Sequence, residues 1–260
     1  MTDAPGALAE RRGNVMVITI NRPEARNAIN AAVSVGVGDA LEEAQHDPEV
    51  RAVVLTGAGD KSFCAGADLK AIARRENLYH PDHPEWGFAG YVRHFIDKPT
   101  IAAVNGTALG GGTELALASD LVVADERAQF GLPEVKRGLI AAAGGVFRIA
   151  EQLPRKVAMR LLEPLSAAAA RDWGLINEVV EAGSVLDAAL ALASAITVNA
   201  PLSVQASKRI AYGVDDGVVV GDEPGWDRTM REMRALLKSE DAKEGPRAFA
   251  EKREPVWQAR

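Results

Sequence analysis

The 260 residues, 47% of them apolar and 25% charged, are too apolar for a disordered chain. They suffice to bury a sizeable core in one large domain, or in a main domain with a smaller appendage. Thirty basic against 36 acidic residues leave a net charge of −6, which argues against a dedicated nucleic-acid binder but not against a small anion held by a local basic rim. Cys64 is the only cysteine, which excludes an internal disulfide and a Cys₄ or Cys₂His₂ zinc site and points to a reducing compartment.

Met1–Arg12 carries Asp3 and Glu10 and no apolar run, so it does not read as a secretory signal, and no stretch nears the length of a membrane span. A cytoplasmic chain is the expectation. Val15–Ile20 (VMVITI) predicts a strand that leaves through the turn Asn21-Arg22-Pro23. Asn30 can cap a helix running to Gln45, closed by Asp47-Pro48. Ala52–Thr56 (AVVLT) predicts a buried strand stopping at the loop Gly57-Ala58-Gly59-Asp60, and Ile101–Val104 and Leu121–Ala124 repeat that pattern. Strands alternating with helical segments predict an α/β body over residues 1–185. From Ser184 the pattern turns helical: Ser184–Val198, Leu202–Tyr212, Pro224–Leu237 and a charged segment Ser239–Lys252. Residues 186–260 therefore read as a helical appendage.

The sequence excludes several chemistries. Gly57–Ser62 lacks the glycine before lysine that a phosphate-binding P-loop requires, and no G-x-S-x-G elbow is present. His80, His83 and Glu85 imitate a metal site, but sit among prolines in what reads as a solvated loop. Cys64 reads as a small buried hydrophobe.

Two segments bear on function. In Ser62–Lys70, small residues at positions 64 to 67 leave backbone amides accessible before Asp68 opens a helical pattern. Such amides suit an anion or a developing oxyanion, while a tight, closely packed connection is the structural alternative. In Val104–Ala118, Gly110-Gly111-Gly112 lead into a helix with Glu114 in its first turn. The helix N-terminus presents free amides, and a carboxylate three residues on shares its face. A flexible turn with a dipole-stabilising glutamate would look the same. Twenty residues further, Glu134 follows Pro133 near a helix start, and a second carboxylate on the same pocket would let one group take a proton while the other gives one. Spacing alone does not bring the two together.

Asn21-Arg22-Pro23, Phe63–Leu69, Lys98–Gly106, Gly110–Glu114, Phe130–Glu134, Trp173–Asn177 and Glu244–Arg253 occur in the order found in the crotonase (enoyl-CoA hydratase/isomerase) superfamily, which the chain resembles over nearly its whole length. Pro255-Val256-Trp257 with Gly87–Gly90 resembles the carnitinyl-CoA dehydratase branch. The resemblance implies a spiral of ββα units, a C-terminal helical trimerisation region and an acyl-CoA substrate. CoA is then part of the substrate, with no metal or separate cofactor and no nucleic-acid or membrane partner, in a homotrimer or a dimer of trimers. It implies an oxyanion hole from the Ala67 and Gly111 amides, water activation by Glu114 and α-proton exchange by Glu134. Substrate contacts are implied at Ala65, Asp68, Leu69, Lys70, Arg26, Gly110, Ala142, Phe249 and Lys252, the last from a neighbouring subunit. An enoyl-CoA hydratase is the reading that follows. A carnitinyl-CoA-type dehydratase, an isomerase and a non-catalytic acyl-CoA-binding regulator are its alternatives.

Two departures from the family pattern stand out. Ala141-Ala142 replaces the Pro-Gly of many relatives, and Leu162–Ser166 is a few residues short. Tyr79, Trp86, Phe88 and Tyr91 are expected either to line the acyl pocket or to pack as core or lid.

Overall fold

A computed structural model describes residues 4–260; Met1–Asp3, part of the stretch without a secretory pattern, lie outside the described residues. The β-branched runs pair into one six-stranded sheet. Strands β1 (Ala7–Arg12) and β2 (Val15–Ile20) form an antiparallel hairpin, and β2 continues in parallel to β3 (Ala52–Gly57). After a second small sheet begins with β4 (Ser62–Cys64) and the short helix α2 (Leu69–Ala73) follows, the main sheet resumes with β5 (Thr100–Val104). The order is completed across β7 (Leu121–Asp125) and β10 (Glu178–Val180), giving β1-β2-β3-β5-β7-β10. The hairpin strand β1 escaped the sequence reading because five of its six residues are exposed and carry no alternation.

The second sheet has the order β4-β6-β8-β9, with β6 (Thr107–Leu109), β8 (Gln129–Gly131) and β9 (Leu165–Ser166). Each of its strands spans only two or three residues. Helix α1 (Ala31–His46) starts where Asn30 caps it, the Asn30 side chain accepting from the Val33 amide at 3.1 Å. Helix α3 (Gly111–Ala118) leaves the second sheet directly after β6, and α4 (Gly145–Gln152) packs beside it. The shorter helices α5 (Arg155–Ala158) and α6 (Ala167–Asp172) complete the body.

The period-two alternation of the strands sorts their side chains onto two faces. Met16, Ile18, Ile20, Val53 and Leu55 join α1 and the second sheet in the larger core. Val15, Val17, Ala52, Val54, Ile101, Ala103 and Val123 face the other way. Helix α7 (Val185–Thr197) covers that second face through Val185, Ala189 and Ala193, a stripe at four-residue spacing. The helical region from 186 thus begins with a helix that closes the core of the sheet. Helix α8 (Pro201–Tyr212), the hairpin β11 (Val214–Asp215) and β12 (Val218–Val219), α9 (Glu223–Leu236) and α10 (Glu240–Ala250) follow. Among the described residues no single helix is long and apolar enough to cross a membrane.

Candidate active site

The turn after β4 is held rigid by the segment that follows β2. The Asn27 side chain donates to the carbonyls of Ser62 at 2.7 Å and Ala58 at 3.0 Å, while the Ala65 amide donates to the Arg26 carbonyl at 3.1 Å. A parallel bridge joins Ile29 to Ala67: the Ile29 amide donates to the Gly66 carbonyl, and the Asp68 amide donates to the Ile29 carbonyl. The amide of Ala67 takes no part in that pairing. Gly111 is the first residue of α3, so its amide has no partner within the helix. These two segments touch. Gly66 has φ +89°, and a Cβ there would come within 3.1 Å of the Gly111 nitrogen, so glycine is needed for the approach.

Glu114, in the first turn of α3, is 4% exposed. Its Oε1 accepts from the Ala143 amide at 2.7 Å and the Gly145 amide at 2.8 Å. Burial first, then the neighbouring Glu134 carboxylate, push its carboxyl up to about 8. The two amides and the Arg148 guanidinium pull the other way without prevailing. Glu134 lies in the helical turn Pro133–Arg137, directly after β8. Burial raises its carboxyl to about 7, and its buried Oε2 has no hydrogen-bond partner among the described residues. The two glutamates, twenty residues apart in the chain, are brought together because β6 and β8 are neighbours in the second sheet. One strand feeds α3 and the other feeds the Glu134 turn. The Gly110 amide donates to the Gly131 carbonyl at 2.8 Å and fixes that junction.

Other residues named from the sequence take varied places. Asp68 caps α2, its Oδ1 accepting from Lys70 and Ala71, and its Oδ2 pairs with Arg22 Nη1 at 3.0 Å. Burial opposes ionisation there, but those amides and the guanidinium hold the carboxyl below the usual range. Ala65, Leu69, Lys70 and Arg26 are exposed around this turn. Ala142 lies in the loop before α4, yet the amides that grip Glu114 are those on either side of Gly144. Phe249 sits under the Arg137 guanidinium at 4.4 Å, on a helix whose Gly245 packs against the Arg137 backbone, and Lys252 is exposed just beyond. Cys64 is fully buried and its thiol is pushed up to about 12, as befits a packing residue.

The aromatic segment divides between site and core. The Phe88 ring packs against Gly111, and Tyr79 lies near enough to feel the Glu114 charge. Tyr91 is buried with its hydroxyl 2.8 Å from Ser119 Oγ. Trp86 is sandwiched between the His83 and His94 rings, each centroid 4.0 Å away. The expectation of a solvated loop at His80 is corrected: His80 is 4% exposed, and its Nδ1 accepts from the amides of Asp82 and His83. The ring packs on Trp86 and its Nε2 lies 3.1 Å from Asp39 Oδ1 on α1, a contact across 41 positions that the Pro-rich sequence does not announce.

Comparison with known proteins bears on this geometry. The model of the family described as enoyl-CoA hydratase/isomerase matches residues 10–260. The chain belongs to that family. It is 43% identical over 256 residues to a carnitinyl-CoA dehydratase of Salmonella paratyphi A, covering 96% of this chain and 97% of the relative. Among solved structures it superposes on a carnitinyl-CoA dehydratase from Mycobacterium avium 104 with a TM-score of 0.95 at 96% identity. A carnitinyl-CoA hydratase from Mycobacterium avium gives 0.97 at 75% identity. Both structures cover 99% of this chain and are themselves covered completely. The fold is the crotonase fold of that enzyme family.

Proposed function

We propose that this chain is a hydro-lyase that interconverts a 3-hydroxyacyl-CoA and the corresponding 2-enoyl-CoA, and that its acyl group is of the polar carnitinyl type. The observation that carries the reaction is the pair of carboxyls, buried Glu114 and half-buried Glu134, raised to about 8 and about 7 beside the Ala67 and Gly111 amides, which have no backbone partner among the described residues. The similarity to carnitinyl-CoA dehydratases of Salmonella and of Mycobacterium avium 104 supports the acyl group.

In the dehydration direction Glu134, as carboxylate, removes the proton from the α-carbon. The electron pair moves onto the thioester oxygen, which the Ala67 and Gly111 amides receive; such preorganised donors are worth a few kcal/mol each to the transition state. The enolate then returns its electrons to form the α,β double bond, and the β-hydroxyl leaves as water with a proton from Glu114. Hydration runs the same steps backwards, with Glu114 activating water and Glu134 protonating the α-carbon. The reaction is redox-neutral and needs no electron acceptor. The raised carboxyls suit it, because each must both hold and release a proton near neutrality.

Lys70, Arg26 and Lys252 are proposed as a basic rim for the CoA phosphates, in keeping with an acidic chain that needs only local positive charge. The helical region is proposed to pack against other copies of the chain. On helix α8, Leu202 and Ile210 are 78% and 82% exposed.

A thioester panel tests the reading: carnitinyl-CoA, its enoyl product, crotonyl-CoA and longer 2-enoyl-CoAs, followed by the absorbance of the conjugated thioester. The proposal predicts the highest kcat/KM on the carnitinyl pair. Preference for crotonyl-CoA would favour a simple enoyl-CoA hydratase, as the family description also allows. CoA binding without turnover on any member would favour a regulator.

A further inference from the structure

The loop that grips Glu114 is itself covered by a residue that belongs to no part of the proposed chemistry. Gly144 lies between Ala143 and Gly145, the two amide donors to Glu114. A Cβ on Gly144 would lie 3.1 Å from Arg148 Nη1 and 3.0 Å from the Trp226 ring, so guanidinium and indole together roof this peptide. Arg148 stands one turn into α4, its own amide donating to the Gly144 carbonyl at 3.1 Å.

The guanidinium is fixed from several sides. Its Nη2 donates to Asp222 Oδ2 at 2.7 Å and to the Val92 carbonyl at 2.8 Å, and its Nε donates to the same Asp222 oxygen at 3.1 Å. Side-chain exposures of 12% for Arg148 and 17% for Asp222 put the pair out of bulk solvent. The ring of Trp226 lies 5.3 Å from the guanidinium and meets Phe147 edge-on at 5.1 Å. Gly225 leaves room for Phe147, since a Cβ there would strike the ring at 2.6 Å. Asp222 and Trp226 both stand at the start of α9. The far helical region therefore reaches the loop that holds Glu114 through the Arg148 guanidinium and through the Trp226 ring itself.

We propose that Arg148 is a positioning residue for Glu114: clamped by Asp222 and Val92 and wedged under Trp226, it holds the Ala143–Gly145 loop in the shape that grips the carboxyl, and so ties α9 to the reacting group. The inference rests on the two-carboxylate reading. Charged and titratable groups facing Glu114 are Glu134, Arg148, Tyr79 and Cys64. Those facing Arg148 are Asp222, Glu151, Tyr91 and Tyr212, with Arg93 across the Trp226 ring. Two coupled carboxyls titrate as a pair, so the pH optimum follows the mean of their apparent values.

The test uses the purified full-length chain, with carnitinyl-CoA and crotonyl-CoA as probes. Arg148→Met is expected to lower kcat by about 10²-fold while KM changes by less than about threefold, because a small misplacement of a reacting group has that cost. Its pH optimum should rise by about half a unit, as a cation near one carboxyl shifts that group by about one unit or more. Arg148→Lys keeps the charge but not the fork, and should return the optimum toward wild type while restoring kcat only in part. Asp222→Asn leaves the guanidinium less neutralised and should move the optimum downward. Opposite movements in Arg148→Met and Asp222→Asn support the inference. An unmoved optimum in both, or a shift of the same sign, overturns it. If Arg148→Met does not fold, Asp222→Asn decides: a lowered optimum supports the inference, and an unmoved or raised one overturns it. A wild-type chain inactive on every thioester would sink the reading of the reaction, whereas an active wild type with unresponsive variants sinks this inference alone.

Discussion

Gly110 is packed directly against Glu134: a Cβ at position 110 would lie 2.7 Å from Glu134 Oε1. Gly110 also has φ +56° with ψ −122°, a conformation that side-chain-bearing residues rarely adopt. One glycine thus sets both the entry into α3 and the space in which the second carboxyl sits.

Gly110→Ala is therefore expected to damage the site more than the fold. The strained backbone costs about 1–2 kcal/mol, seen as a modest drop in the unfolding midpoint. Displacement of Glu134 should lower kcat by about 10²-fold. Wild-type turnover in a folded Gly110→Ala protein would show that Glu134 does not need this position.

The raised glutamates also make a prediction about stability. A carboxyl whose folded value lies above its unfolded value of 4.5 keeps a proton in the native state that the unfolded chain has lost. Stability from this source is fully present below pH 4.5 and falls as pH rises through about 8 for Glu114 and about 7 for Glu134. Glu114→Gln keeps an oxygen to accept from Ala143 and Gly145 but cannot ionise. Thermal unfolding should find it more stable than wild type by about 3–5 kcal/mol at pH 8.5, with little difference at pH 5. A difference independent of pH would contradict the raised carboxyl.

Lys208 on α8 joins the helical region to the sheet. Its Nζ lies 2.7 Å from Asp120 Oδ2 and donates to the Lys98 carbonyl at 2.9 Å, with both side chains largely buried. Lys208→Met leaves Asp120 as a buried unpaired charge, a loss of about 3–5 kcal/mol. The double variant with Asp120→Asn should regain part of it. Denaturant unfolding of the two single variants and the double measures this coupling, and strict additivity would mean the pair contributes nothing specific.

Much of the main sheet was legible in the sequence, because its strands are unbroken β-branched runs bounded by Pro, Gly and Asp. Asn30 and Ser184 marked helix starts for similarly local reasons. The second sheet was not legible, since strands of two or three residues carry no periodicity, and it is this sheet that sets Glu114 beside Glu134. Likewise α7 read as the start of an appendage. Its buried stripe of Val185, Ala189 and Ala193 gains meaning only against the strand faces it covers. The grip of the Ala143 and Gly145 amides on Glu114 was not legible, because the amide geometry of that loop depends on Gly144 adopting φ +97°. Arg148 left no signal at all. Its partners lie 56 and 74 positions distant.

The central claim is that Glu114 handles water and Glu134 handles the α-proton. It is tested most directly by measuring, in deuterated water, both hydration turnover and α-deuterium exchange for Glu114→Gln and Glu134→Gln on the best thioester of the panel. The account predicts that each variant loses turnover by about 10²–10⁴-fold, and that α-exchange falls with Glu134→Gln much more than with Glu114→Gln. Wild-type turnover in both variants, or equal retention of exchange in both, would contradict it.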